Sequence, residues 1–501
     1  MATKTNPMRT LVQFLAIALM TVLISGCIVS RNPISGNKRA FGYSWQQEIQ
    51  MGRDADQQIV SQYGMYGDEE LTHYVDSLGQ ALLQVSHLRR PGAEQEWVNT
   101  EFFFRILDSP VINAFALPGG YIYLTRGLLA HLENEAQLAV VLGHEIGHVA
   151  GRHASKRAAS QLGGNLLLIG AAVGGQALFG GDAAQNILNV GGSATQLLFL
   201  SYGRNDERES DQIGVEYASL IGYNASQASA FFRTLKRLGE QTESNIPSFL
   251  STHPDPGERE QTILRISDEW SSRYETDRIA REYYLSRVDH IIFGQNPRNG
   301  FIQDRRFYHP EMAFEFPVPD GYTLINQANQ VVMIDEDERA AVSLEIDQEH
   351  TTAEAASEAF LAQDGVTLVE RGLGTVNDLS ARYVVADVKN SAGQTLRLRA
   401  HFIDFDGTIF RFLGLAPRDV FDHYDPQFQR TMRGFKRLTD AQILNVQPAR
   451  VTLTASQTET SFESILPATL PNGLTAIEMA ILNQVELDDV FPRGRLFKLV
   501  N

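Results

Sequence analysis

The chain has 501 residues, enough for two or three domains rather than one. Its formal net charge of −17 argues against a nucleic-acid surface, because nothing repays pressing an acidic face against phosphates. A single cysteine, Cys27, excludes any disulfide framework within one chain.

Cys27 ends a secretory pattern. Lys4 and Arg9 precede an apolar run from Leu11 to Ile24 that is too short for a comfortable bilayer span. Leu23-Ile24-Ser25-Gly26-Cys27 resembles the bacterial lipobox, whose cysteine is lipidated and becomes the first mature residue. The resemblance implies a signal peptide over residues 1–27 and a stable membrane anchor at Cys27. Because Ile28 rather than aspartate follows, the sorting rule of that class favours the outer membrane over the inner, with the rest of the chain in the periplasm. Residues 28–43, polar with Pro33 and Gly36, are expected to form a linker.

From Ser44 the pattern is helical. Trp45, Ile49, Met51, Ile59 and Val60 mark one helix; Leu71, Tyr74, Val75, Leu78, Leu82 and Val85 mark a second, which Pro91-Gly92 breaks. A strand is expected from Trp97 to Leu107. Two short strands follow across Asn113-Ala114-Phe115-Ala116-Leu117 and Tyr121-Ile122-Tyr123-Leu124, joined at Pro118-Gly119-Gly120. Such a strand beside a metal helix can form the wall of a cleft to which a peptide adds as a further strand, so Asn113, Ala114, Phe115 and Ala116 are candidate cleft residues.

A helical pattern from about Asn134 to Ala159 contains His144-Glu145-Ile146-Gly147-His148, an HExxH motif. Residues four apart on a helix share a face, so His144 and His148 can bind one zinc ion. Glu145, one step round, can reach a catalytic water without being a ligand. His153 falls close to half a turn out of phase with His144 and cannot share that face; with Arg152 and Arg157 it reads as structural or surface. The Gly/Ala-rich segment 162–199 is too interrupted for a membrane span; it fits a mobile flap, a lipid-touching surface or a packed helical hairpin.

A further helix opens near Asn205 or Asp206, either of which can cap it. On it Glu207 and Asp211 lie four apart. Glu207 can supply the third zinc ligand, and Asp211 can accept the outer N–H of a zinc histidine. Glu209 points about 200° away from Glu207 and is set aside as a ligand. The proline-stiffened loop Ser251-Thr252-His253-Pro254-Asp255-Pro256 offers His253 as a removable fourth ligand, an oxyanion partner or a helix cap.

The ordered set NAFALPGGYIY, GHEIGHVAGRH, GRNDERESD and THPDPGER resembles the zinc metallopeptidase family of the CAAX prenyl protease and HtpX, in its soluble periplasmic branch. The resemblance runs from about Ser44 to Glu282. It implies a gluzincin with His144, His148 and Glu207 on one zinc per chain, Glu145 as general base, and Asp211 behind the ligands. Gly203 stands where serine is common and Ser210 where alanine is usual; both are small.

Beyond a Gly, Pro, Asn and Arg-rich linker from Asn296 to His309, the period shifts to strands at Met312–Val318, Val331–Ile334 and Ala341–Ile346. A helix is expected over Thr352–Gln363, then strands at Val366–Glu370, Ala381–Asp387, Leu396–Phe405 and Thr408–Leu415, and a closing helix over Pro426–Arg437. The tail carries a strand at Arg450–Thr454, a helix after Ser461, a second over Ala476–Leu482 and a strand at Leu496–Val500, an order that weakly resembles a LysM-like glycan-binding repeat; a plain α/β appendage fits as well.

The expected architecture is therefore α+β. A mainly helical zincin domain over residues 44–290 precedes an α+β accessory domain over 310–438 and a small LysM-like α/β module over 448–501. The expected activity is a lipid-anchored periplasmic endopeptidase acting on misfolded or stalled envelope polypeptides, with peptidoglycan as a further partner for the tail. The alternative is a chaperone or assembly scaffold for outer-membrane proteins with a mainly structural zinc.

Overall fold

The computed structural model describes residues 28–162, 202–241, 249, 252–253, 256–390 and 393–501. The lipobox and the Gly/Ala-rich segment 162–199, save residue 162, lie outside the described residues.

The two helices expected after Ser44 span Trp45–Tyr63 and Glu69–Val85. Ser44 and Gln47 close a reciprocal capping box on the first, and Asp68 caps the second through the Leu71 amide. A three-stranded sheet follows in the order Phe103–Leu107, Tyr121–Thr125, Ala114–Leu117, with the first pair parallel and the second antiparallel. The first strand is shorter than expected, because Trp97 sits on its own helical turn, Gln95–Val98. Ala114–Leu117 is one of the two edge strands of this sheet.

The HExxH helix runs Glu135–Gly151, capped by Asn134 on the Gln137 amide, and every residue in it is buried. It does not continue to Ala159. Arg152 takes a left-handed conformation at φ 55°, and a second helix, His153–Leu162, starts on a new axis. Such a φ is unfavourable for a residue with a Cβ and must be held from outside. Here the guanidinium donates to Glu48 Oε1 at 2.8 and 2.6 Å, to Ser30 Oγ at 2.6 Å and to the Tyr43 carbonyl at 2.7 Å.

The Ser30 contact corrects the expected linker. Ile28–Arg31 and Lys38–Phe41 pair as an antiparallel hairpin, and Asn32 in its turn donates to the Gly151 carbonyl at 3.2 Å. Strands of four residues are too short to show a period, and the polar turn masked them.

The helix Arg204–Leu220 crosses the HExxH helix at backbone contact. A Cβ built on Gly143 would lie 3.0 Å from Gly214 Cα, and one on Gly214 would lie 2.8 Å from the Val140 carbonyl oxygen and 3.0 Å from the His144 nitrogen. Glycine at both positions sets the depth at which the second helix sits. Gly214→Val is expected to cost about 3 kcal/mol by forcing the two backbones apart; urea denaturation at wild-type slope checks it, and a loss under half of that would refute the close-crossing argument.

The second unit is a seven-stranded antiparallel sheet that includes a strand unforeseen from sequence, Tyr322–Asn326, at one edge. The helix Phe421–Arg433, starting earlier than expected and containing Pro426, covers one face together with a four-stranded sheet; Ala353–Leu361 covers the other. That smaller sheet takes Phe301–Gln303 and Arg306–His309 from the stretch expected to be linker. In the tail, Val451–Ala455 pairs antiparallel with Leu496–Val500 around the helix Ala476–Leu482, but only a single 3₁₀ turn, Glu463–Ile465, follows Ser461 directly. Its apolar residues Val451, Phe462, Met479, Leu482 and Phe497 belong to the same core as Leu138, Leu142 and Ile146 of the HExxH helix. The tail thus shares its core with the first unit.

Candidate metal centre

His144 and His148 project from one face of their helix with Nε2 atoms 2.9 Å apart. Glu207, in the first turn of the crossing helix, brings Oε2 to 3.6 Å from His144 Nε2 and Oε1 to 3.5 Å from His148 Nε2. That helix begins at Gly203 with no side-chain cap; Asp206, one of the two expected caps, is turned instead to Lys156. His253 joins them, its Nδ1 at 3.3 Å from His144 Nε2 and 3.1 Å from each Glu207 oxygen. One donor atom from each of the four lies within 4.8 Å of every other, and all four residues are buried. Ligand bonds of 2.0–2.2 Å in a tetrahedron imply donor separations of roughly 3.3–3.6 Å. The set has the spacing and the donor types of a zinc site.

The hydrogen bonds behind the ligands make the same point. Asp211 Oδ1 lies 3.0 Å from His144 Nδ1 and accepts its proton, which leaves a lone pair on Nε2. Arg259 holds Asp211 in place, donating from Nε at 2.9 Å and Nη2 at 2.6 Å, and its Nη1 reaches Glu207 Oε2 at 3.3 Å. Burial pushes His144 down to about 4, with the Arg259 charge adding to it, and drives His148 well below its ordinary value. Burial opposes ionisation of Asp211 and Glu207, yet both carboxyls stay below their usual range. Arg259 outweighs burial for Asp211; His253, Arg259 and His144 do so for Glu207. Neutral imidazoles presenting lone pairs to one another beside a carboxylate repel, and a divalent cation among them turns that repulsion into bonding.

Glu145 is wholly buried, and neither of its oxygens has a hydrogen-bond partner. Burial pushes its carboxyl up to about 7, against the nearby His253 charge. His253 Nε2 lies 3.5 Å from Glu145 Oε1 and donates to the Ala114 carbonyl at 3.3 Å. The edge strand therefore meets the cluster directly through the Ala114 carbonyl; Asn113 Oδ1 accepts from Thr252 Oγ1 at 3.3 Å, one residue before His253. Phe115 stacks on Tyr123 at 4.8 Å, and Ala116, which packs with Ala114 into the main core, also lines a small cavity with His148 and Tyr202. Burial fights protonation of His253, but the Glu207 and Glu145 charges outweigh it and raise its pKa.

Two groups were not foreseen. Arg259 follows the His253 loop in sequence, but nothing there announces a guanidinium folded back onto Asp211. His153 and Arg152 are buried, which excludes the surface alternative for both. Glu209 lies off the cluster, as its helical phase requires, and contacts His153 instead.

Residues 72–267 match the model of Peptidase family M48. Similar curated proteins include the beta-barrel assembly-enhancing protease of Escherichia coli (strain K12), 30% identical over 285 residues, covering 54% of this chain and 54% of that one. The protein of the same name from Yersinia pestis is 30% identical over 240 residues, with 45% of each chain covered. The mitochondrial metalloendopeptidase OMA1 of Schizosaccharomyces pombe is 26% identical over 255 residues, covering 50% of this chain and 69% of that one. The chain spans about half the length of the bacterial relatives it matches. Every group of the metal cluster, its supporting Asp211 and Arg259, and Glu145 fall inside the matched stretch, so the part of the chain that is similar to Peptidase family M48 is the part that carries the candidate zinc site.

Proposed function

We propose that the chain is a zinc endopeptidase for polypeptides of the bacterial envelope. His144, His148 and Glu207 hold the metal, Glu145 is the general base, and Asp211 and Arg259 fix the ligands. The observation that carries this reading is a fully buried carboxyl, Glu145, with two unpartnered oxygens beside a converging two-histidine, one-glutamate set. Zinc bound there would supply Lewis acidity at the scissile carbonyl. Glu145 takes a proton from the attacking water and returns it to the leaving amine, work for which a pKa near 7 suits it. The edge strand Ala114–Leu117 offers its outer backbone to an extended substrate. His253 is the removable fourth donor: it occupies the Ala114 carbonyl and must swing aside before a peptide can pair there.

The envelope setting is supported by the lipobox at Cys27 and by bacterial relatives named for enhancing beta-barrel assembly. No helix among the described residues is long and apolar enough to cross a membrane. In this reading residues 44–290 form the peptidase unit, anchored through Cys27 at the outer membrane. Residues 310–438 form an accessory domain that positions substrates, and residues 448–501 form the tail.

The names of the relatives also favour a second reading, an assembly scaffold in which zinc is chiefly structural. A casein-type digestion on the full chain separates the two. Products are expected with zinc, none after chelation, and again on readdition; a folded, zinc-loaded sample that yields none would leave the scaffold reading standing.

A further inference from the structure

His148 has a partner on its far side that differs from that of His144. His144 is held by a carboxylate, whereas the outer nitrogen of His148, Nδ1, faces another imidazole, His153 Nδ1, at 2.9 Å. The other nitrogen of His153, Nε2, lies 3.0 Å from Glu209 Oε2. His153 is wholly buried, and Glu209 is only partly exposed.

The protons in this row can be placed only one way once His148 Nε2 faces a metal. A lone pair on that nitrogen puts the His148 proton on Nδ1, which donates to the lone pair of His153 Nδ1. The His153 proton then sits on Nε2 and donates to Glu209. We propose that His153 and Glu209 are positioning residues that fix the tautomer and ring angle of His148, a relay of imidazole and carboxylate where His144 has a carboxylate alone. The proposal rests on the zinc reading of His148.

The backbone is built for this contact. On an unbroken helix His153 would point away from the metal face. The left-handed turn at Arg152 re-aims the next helix, and its first residue swings back behind His148. A left-handed arginine pinned by Glu48, Ser30 and the Tyr43 carbonyl is a costly way to end a helix that has Gly151 one residue earlier. The cost makes sense if the position of His153 matters. Ser210 Oγ, at 3.4 Å, is the other polar group near His153 Nδ1 and is more distant than His148.

His153 and Glu209, together with Asp206, are spaced as a second metal cluster would be. Lys156 argues against that use, because its ammonium already sits on Asp206 Oδ1. A cation there would face a cation.

The test is zinc affinity of the full chain by competition with a chromogenic chelator, alongside melting of the metal-free protein. Wild type is expected to bind one equivalent, and His148→Ala to lose it. His153→Leu is expected to bind between ten- and a hundredfold more weakly, roughly the range seen when the partner of a ligating histidine is removed. His153→Asn places an acceptor oxygen where Nδ1 stood and should recover most of the loss, although both variants break the Glu209 contact. Glu209→Ala, at a part-exposed position, should lose several-fold and keeps the test open if the Leu variant does not fold. Equal affinities for wild type, His153→Leu and Glu209→Ala would overturn the relay while leaving the zinc site intact. Equal loss in the Leu and Asn variants would reduce His153 to packing. A second equivalent lost with His153 would replace the relay by a second metal site. Failure of His148→Ala to lose zinc would sink the parent reading instead.

Discussion

Glu145→Gln is expected to keep one zinc per chain and to lower kcat/KM on a casein-type substrate by about a thousandfold, within the range for removal of a general base. Glutamine fills the same space, and Glu145 accepts no hydrogen bond that the amide would forfeit. The variant therefore isolates proton transfer from folding and from metal binding. Stability supplies an independent check. The carboxyl pKa rises from 4.5 to about 7 in the fold. For an acid this means that folding disfavours the ionised form, so the metal-free wild type loses stability as pH rises from about 4.5 through about 7. The cost accumulated across that window is on the order of 3 kcal/mol. Metal-free Glu145→Gln should melt with wild type at pH 4 and above it at pH 8. Wild-type proteolysis at wild-type zinc content would remove Glu145 from the mechanism. A variant that melts below wild type at pH 8 would mean that the carboxylate has a partner after all.

How far the site could be read from sequence follows from what kind of geometry each part uses. His144, His148, Glu207 and Asp211 are all related by i, i+4 spacing on regular helices, and regular spacing survives in sequence. The crossing that joins the two helices was less visible, since Gly143 and Gly214 are two unremarkable glycines until their Cα atoms are seen in contact. His153 stays off the metal cluster, as its phase implies, but its place behind His148 is hidden from a phase argument, which assumes an unbroken helix. The break falls on an arginine, for which no sequence signal of a left-handed residue exists, and not on Gly151 beside it. Arg259 lies only six residues after His253 in sequence, but its value depends on a helix returning Asp211 to it across 48 residues. Asp206, one of two candidate caps with Asn205, pairs instead with Lys156, because its side chain has a cation within reach that a local view of the sequence does not contain. The short strands at Ile28–Arg31, Lys38–Phe41, Phe301–Gln303 and Arg306–His309 were read as linker, being too brief for alternation to show.

The tie between the tail and the HExxH helix is hidden in sequence for a different reason, and Lys498 shows it most sharply. A lysine near the end of a chain reads as a solvated surface residue, but here it is wholly buried. Its ammonium donates to the carbonyls of Ala130 and Leu132 at 2.8 Å each and lies 3.0 Å from Glu133 Oε1, while Asn483 grips its backbone on both sides at 2.8 Å. The acceptors lie just before Asn134, the cap of the HExxH helix, and Gln484 of the tail bonds to Gln137 in the first turn of that helix at 2.7 Å. Lys498→Met keeps the apolar stem and removes the charge. It leaves two buried carbonyls without their donor and Glu133 with Arg281 alone, at 2.8 Å. Truncating one partner of a buried ion pair typically costs about 3–5 kcal/mol. A loss of about 3 kcal/mol is expected, and it should appear in the unfolding of the peptidase unit, followed through resistance of residues 44–290 to an added protease. If the variant instead released residues 448–501 while the peptidase unit unfolded at its wild-type midpoint, the tail would be a separable module, and its shared core with the HExxH helix would carry no stability.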